Sequence, residues 1–540
     1  MKTLLLLAAL CCASPSPDFT RSVLALSGAY SIEELSESEL ERFESLRRRP
    51  LPLNVLSAAA LVRSGLLNAY QAASICDYRS RSGDILSLAE FALIDGIGAE
   101  LADALAPFVD FRPSGDETHR PRIDGSARVG VGWKPSPSCE ASLKAGLTLR
   151  RFEFFGSYRH RSLKNGFTFG AGYENSRFSL CLGDYRLRLG QGLVAWSGFS
   201  MAGVSGPSSL NRNPTGLALA HSYTSYLRGA AASYSFGRTE IGASWTIPAV
   251  ASDPGSGVLY VSRLSERGQW AAKAYLDRLG VVAGLDGKRQ FGECCLFGEA
   301  AYSFRAVKHA PALVGGVDWA PAYGKRFALA LRYYGPDYDA PLSGALRSST
   351  KTADELGASC SLTLSDFGVS ADLSRALSAS KSVGKLAASY SPVFSLPFGL
   401  ELSPSLKASL SYRPYNLYKS RADLRAELGL KRGPLQAHFR FEAVRCRELS
   451  WLWYLELGYE GEVKAFARFT LFRIDNWDDR IYVYERDAPG NFSSTAYYGR
   501  GLGASLYLKY RSAYLVFRLL RHPWSDPSKS ETGLSLQYEF

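Results

Sequence analysis

Six polar residues interrupt runs that otherwise read as strands: Arg186, Arg188 and Gln191 between Gly183 and Trp196, and Glu485, Arg486 and Arg500 between Tyr482 and Gly501. A charge on the wet face of a strand must be solvated, paired with its opposite, or held against a solute. Two chemistries follow, a charge ladder that holds a wall to what it encloses and a path for an anionic solute. Glu485 is the expected partner for one of the arginines, and all six are expected to face one interior and form a single polar network. Reactive chemistry is thinly supplied. His119, His160, His221, His309, His438 and His522 fall singly, with no HExxH, GxSxG or GxxxxGK[ST] pattern. Beyond Cys11 and Cys12 seven cysteines remain, without a CxxC, and an odd number cannot all pair internally. The run Asp475-Asn476-Trp477-Asp478-Asp479 offers carboxylates to a hard cation, but reads better as a solvated turn. No catalytic set, metal site or cofactor site is expected.

The elements that carry these residues alternate with period two. Leu406, Ala408, Leu410 and Tyr412 face away from Lys407, Ser409, Ser411 and Arg413, and Leu435, Ala437, Phe439 and Phe441 face away from Gln436, His438, Arg440 and Glu442. Segments of about 10 residues are long for a soluble sheet and match a tilted membrane strand. Wet faces with charges of both signs suit a lumen, and 30 Tyr, 28 Phe and 50 Gly suit aromatic girdles and twisted strands. At that strand length, Ser126–Phe540 holds about 20–24 strands. The stretch from Ser197 to Ser225 reads as a long loop, folded into the pore or extracellular. The final segment alternates Leu534, Leu536, Tyr538 and Phe540 with Ser535, Gln537 and Glu539. It resembles the terminal signal of outer-membrane barrels, which implies recognition of Tyr538 and Phe540 by the barrel-assembly machinery.

The front of the chain differs in kind. Lys2, an apolar run Leu4–Leu10 and small residues to Ser14 read as a secretory signal over 1–17, or as a lipoprotein signal acylated at Cys11 or Cys12. A helix is expected over Ser31–Leu46 from the Ser31/Glu34 capping box, with further helices over Ser57–Arg63, Tyr70–Arg79, Leu86–Leu93 and Leu101–Val109. Residues 18–112 carry nine Arg and no Lys against fourteen Asp and Glu, a net −5, whereas the region after them carries +16. Residues 113–125, rich in Pro and polar groups, read as a linker.

Leu53-Asn54, Tyr78-Arg79, Gly83 and the turn Gly96-Ile97-Gly98 together resemble the helix-hairpin-helix domain of ComEA-type competence proteins over about Leu53–Phe111. The resemblance implies that Gly65, Gly96, Ile97 and Gly98 would approach a DNA phosphate. The sequence departs from that pattern: Leu67 stands where the first hairpin would have its second glycine, and Glu100 and Asp103 follow the second hairpin where cations would serve DNA. The segments 183–196 and 482–501 resemble patches of helix-hairpin-helix barrel proteins of uncharacterised function.

The expected architecture is α+β and multidomain: a small all-α helix-hairpin-helix domain (18–112), then a large antiparallel transmembrane β-barrel (126–540). The expected function is a non-enzymatic outer-membrane channel, transporter or translocation pore, its helical domain in the periplasm as plug, gate or docking module. Its partners would be membrane lipid, the assembly machinery and a periplasmic protein. The alternative is DNA capture or uptake through the hairpins, which the acidic front domain disfavours. A lipase- or protease-like enzyme lacks a nucleophile–base set.

Overall fold

A computed structural model describes residues 19–27, 35, 37–48, 50–114, 122–134, 136–149, 151–161, 164–175, 177–197, 204, 207–221, 226–248, 255–265, 267–306, 308–322, 324–379, 381–414, 418–491, 494–526 and 528–540. The expected signal and the Ser31/Glu34 capping pair lie outside these residues.

The front helices start where side chains satisfy their free N–H groups. Ser57 Oγ accepts from Ala60 N ahead of helix Ala58–Arg63, and Asn68 and Gln71 form a reciprocal capping box on helix Ala69–Ser82. Ser87 caps the short helix Leu88–Ala92, and Gly98–Leu105 follows. Two further helices, Phe19–Ser27 and Glu37–Arg48, precede them. The helix expected to begin at Ser31 is thus described only from Glu37, and Phe19–Ser27 was not expected. Leu53, Leu61, Leu67, Ile75, Phe91, Leu105 and Phe108 are fully buried in one core. Asn54, buried beside them, donates to Ile85 O and Arg112 O and accepts from Ile85 N, pinning the ends of the unit together. Among the described residues, no helix is long and apolar enough to cross a membrane.

From Arg122, four residues earlier than expected, the chain forms one closed antiparallel barrel of 24 strands, each paired with its sequence neighbours. Two short strands, Gly216–Leu219 and Phe394–Leu396, attach to it. The first strand, Arg122–Lys134, pairs with the last, Ser530–Glu539, and Gly125 exchanges both backbone hydrogen bonds with Phe540 (2.9 and 3.0 Å). The sequence alternation becomes an apolar outer wall: Leu406, Leu410, Phe439, Leu457, Phe469, Leu536, Tyr538 and Phe540 are exposed, while Arg440, Glu442, Arg468 and Gln537 are buried inside. That wall is what a bilayer solvates and water does not.

Because the strands run up and down in order, the connections 189–226, 335–354 and 475–498 all leave the rim opposite the chain termini. The described residues of all three turn inward. Leu189, Leu193 and Val194 pack on the inward Tyr260, Tyr275, Val282 and Tyr334. Trp196 N donates to Leu342 O (2.8 Å) and Gly344 N to Gly192 O (3.0 Å), knitting the first two connections together. In the third, a two-stranded sheet (Ile481–Tyr484 with Ser494–Tyr497) packs on Val444, Leu452 and Phe472.

Candidate functional site: the occupied lumen

Inward-facing charges meet the connections at several points. Lys273 Nζ lies 2.6 Å from Asp286 Oδ1 and 2.8 Å from Glu299 Oε1, all three side chains buried. Glu299 also accepts from Gln191 N (2.6 Å), and Gln191 Oε1 accepts from Arg212 N (3.1 Å). Gly190 (φ 57°) makes this approach: a Cβ there would fall 2.1 Å from Lys273 Nζ and displace the ammonium, and the left-handed backbone also favours glycine. Arg188, buried, donates from Nε to Ser197 O (3.1 Å), and Arg188 and Arg212 stand over the Trp196 ring at 5.6 and 5.0 Å. Arg186, on the same strand, lies near Arg42 of the helical domain. Burial pushes the Arg42 guanidinium below its ordinary range; Glu39 opposes the shift and Arg186 adds to it.

Across the lumen, Glu485 accepts from Tyr497 Oη (2.6 Å) and pairs with Arg518 (2.8 Å), which also meets Asp487 (3.0 Å). Asp487 reaches back to Arg128 on the first strand (2.6 Å). Arg486 pairs with Glu456 (2.9 Å), which also holds Arg468 (2.7 Å). A separate buried set ties Arg332 to Glu355 (2.5 Å), Asp372 (2.8 Å) and Ser348.

The six polar residues therefore fall into three groups in the contacts described here. Arg186 and Arg188 end the strand Phe178–Arg188 and Gln191 opens the first connection; Glu485 and Arg486 belong to the third. Arg500 is a correction. It is the Cα partner of Arg473, on the face of Leu471 and Leu502, and pairs with Asp475 (2.5 Å) at the outer rim rather than inside. Glu485 also takes Arg518 as partner rather than one of the arginines singled out in the sequence. In the Asp475–Asp479 run, Asp479 is fully buried and accepts from Cys446, Arg447 and Glu448 N, so it anchors the neighbouring connection rather than lying in solvent.

Of the hairpin candidates, Gly96 and Gly98 are exposed, Gly65 is half-buried and Ile97 is buried. At Gly65 (φ 70°) a Cβ would fall 2.5 Å from Arg42 Nη1 and 3.0 Å from Thr215 of the inserted connection, so the arginine tip would have to shift. Gly96 is crowded by the Tyr70 ring, and Ile97 is buried. Gly98 is the one with open space beside it. Asp95 accepts from the Tyr70 hydroxyl, and that bond, with burial adding, raises the phenol above its ordinary range. Leu67 is fully buried in the core, so its side chain does not stand in front of a phosphate. The helical domain touches the lumen directly. Glu44 Oε2 accepts from Gly490 N (2.6 Å) of the third connection. Helix Ala58–Arg63 meets strand Gly216–Leu219, and helix Ala69–Ser82 meets barrel strand Gly268–Asp277.

Sequence reasoning missed Lys273, Asp286, Glu299, Arg332, Asp372, Arg128 and Arg518. Their signal was available as single charges at wet-face positions among small residues, as in Ala271-Ala272-Lys273-Ala274.

These features define a large closed β-barrel whose lumen is occupied by its own connections and met by a helical domain. No protein-family model matches the chain, and no curated protein matches it. Among solved structures, the chain is similar to the translocation pore of the P pilus usher PapC (TM-score 0.44, 10% identity, covering 77% of this chain and 99% of that one). It is also similar to Pseudomonas aeruginosa OccK3 (OpdO) (TM-score 0.32, 9% identity, 78% and 95%) and to the Pseudomonas aeruginosa outer membrane protein OpdK (TM-score 0.32, 7% identity, 78% and 99%).

Proposed function

We propose that the protein is a non-enzymatic outer-membrane channel or translocation pore, with residues 18–112 acting as a plug and docking module at the periplasmic end of the lumen. The contact of Glu44 with Gly490 carries this reading, because it joins the helical domain to a connection that enters from the opposite rim. Charge supports it: a domain of net −5 meets a region of net +16, and Glu39 acts on Arg42, Arg188 and Arg212. Opposite charges brought together away from bulk water attract more strongly than on an open surface. The test is single-channel conductance of the full chain against a variant lacking 18–112. The variant should conduct more; equal conductance sinks the plug.

The front domain is read as a helix-hairpin-helix unit of the ComEA type whose phosphate chemistry has been given over to packing. Gly65 and Gly96 lie against Arg42 and Tyr70, and the surface is acidic. Duplex DNA titrated at low salt onto residues 18–112 should show little affinity. Tight, salt-sensitive binding would instead favour DNA uptake.

A further inference from the structure

Register assigns four arginines to the lipid-facing wall at the rim opposite the chain termini. Arg473 is the partner of both Trp451 and Arg500, two residues along from Leu471, which pairs with Trp453 and Leu502. Arg473 and Arg500 thus share the outer face with Leu471 and Leu502, while Arg468 and Phe472 face inward. The same alternation places Arg445 beyond Phe439 and Phe441, and Arg521, the partner of Leu502, beyond Phe517 and Leu519. Each arginine is within two residues of its strand end on that rim. They span five adjacent strands, Leu435–Arg445 to Ala513–Arg521, or about 19 Å at the usual strand spacing.

Such charges are tolerated at the membrane interface but not at mid-depth. Clustering them is a different matter, because like charges on neighbouring strands repel. Asp475 bridges two of them (3.2 Å to Arg473, 2.5 Å to Arg500) and Glu448 acts on Arg500, so the cations still outnumber the anions. Trp477 and Trp524, both more than half exposed, stand on the connections above, where amphipathic rings sit at headgroup level.

We propose that this patch binds the phosphate groups of an anionic lipid headgroup in the outer leaflet. Guanidinium forks match phosphate oxygens in geometry and charge. A patch beside the hydrocarbon face presents them to a lipid rather than to a solute in the lumen. The proposal rests on the membrane reading of the barrel, not on the plug.

The experiment uses the full chain purified in neutral detergent, with bound lipid counted by native mass spectrometry. The probes are bisphosphorylated lipid A, the same lipid dephosphorylated, and inorganic phosphate alone. The wild-type protein should prefer the phosphorylated lipid by about tenfold or more. R445Q/R473Q/R500Q/R521Q should hold the two lipids equally, and the corresponding lysine variant should keep a reduced preference. An unchanged preference in the glutamine variant overturns the proposal. Displacement of the lipid by inorganic phosphate at equal concentration overturns the lipid assignment in favour of a free anion. If the fourfold variant does not assemble, R473Q and R521Q are read singly, each expected to weaken the preference. Absence of the wild-type chain from the outer-membrane fraction would be a failure of the membrane reading instead, visible before any lipid is added.

Discussion

Lys273 shows what a single inward charge does in this wall. Its ammonium is enclosed by Asp286 and Glu299, and Glu299 in turn holds the backbone of Gln191. Lys273→Met would leave two carboxylates buried without a cation, which costs about 3–5 kcal/mol. The expected outcome is a lower urea midpoint for the folded barrel in detergent, with recovery when Asp286 and Glu299 are replaced by apolar residues of similar size. Gly190→Ala should destabilise the same place through geometry, since its Cβ would fall against Lys273 Nζ. Neither residue stood out in the sequence. One lysine between alanines and one glycine among fifty carry no signal until the strand and the connection are placed against each other.

Among the elements, the helix Leu88–Ala92 offers a pH test. Glu90 accepts from Leu86 N (2.8 Å) and from the Tyr78 hydroxyl (2.7 Å), and these bonds hold its carboxyl below the ordinary range. The unfolded chain therefore binds more protons than the folded one between the two pKa values. The stabilisation is fully present above the unfolded carboxylate pKa, about 4.3, and is lost as pH falls through the folded value. Protection from hydrogen exchange at Leu86–Phe91, taken relative to the intrinsic amide rate at each pH, should fall across that acid window, and Glu90→Gln should flatten the dependence. An unchanged profile in the variant would remove Glu90 from the account. The helices themselves were largely legible from the helical spacing of their apolar residues, whereas the caps Asn68 and Ser87 were not singled out in the sequence. Their ends shifted by a few residues: the expected Leu101–Val109 is Gly98–Leu105, since Pro107 cannot continue the helix and Val109 pairs with Leu51 instead.

For the whole molecule, closure rests on the pairing of Arg122–Lys134 with Ser530–Glu539, which Phe540 extends by one residue. Phe540 exchanges both backbone bonds with Gly125 and exposes its ring on the outer face. Phe540→Asp keeps the backbone partner but puts a charge where lipid contacts the wall. Less heat-modifiable barrel should assemble, measured by electrophoretic mobility with and without boiling. Glu44→Ala should act at the same scale in the opposite sense. The barrel should assemble normally, but conductance should become less steady, because the contact between the helical domain and the third connection loses its carboxylate.

Period-two alternation and strand length pointed to the barrel from sequence alone and bounded its strands at about 20–24, because each strand's own pattern says which of its faces meets lipid. Composition likewise separated the acidic helical front from the basic barrel. Which polar side chains meet was decided only by tertiary structure. Glu485 and Arg518 are 33 positions apart, Arg128 and Asp487 are 359 apart, and their approach depends on a connection turning inward across the lumen. Arg500 is a different case. Its residue type suggested an interior charge, but it is in phase with Leu502, Leu506 and Leu508 of its own strand, and so lies beside Arg473 on the outer face.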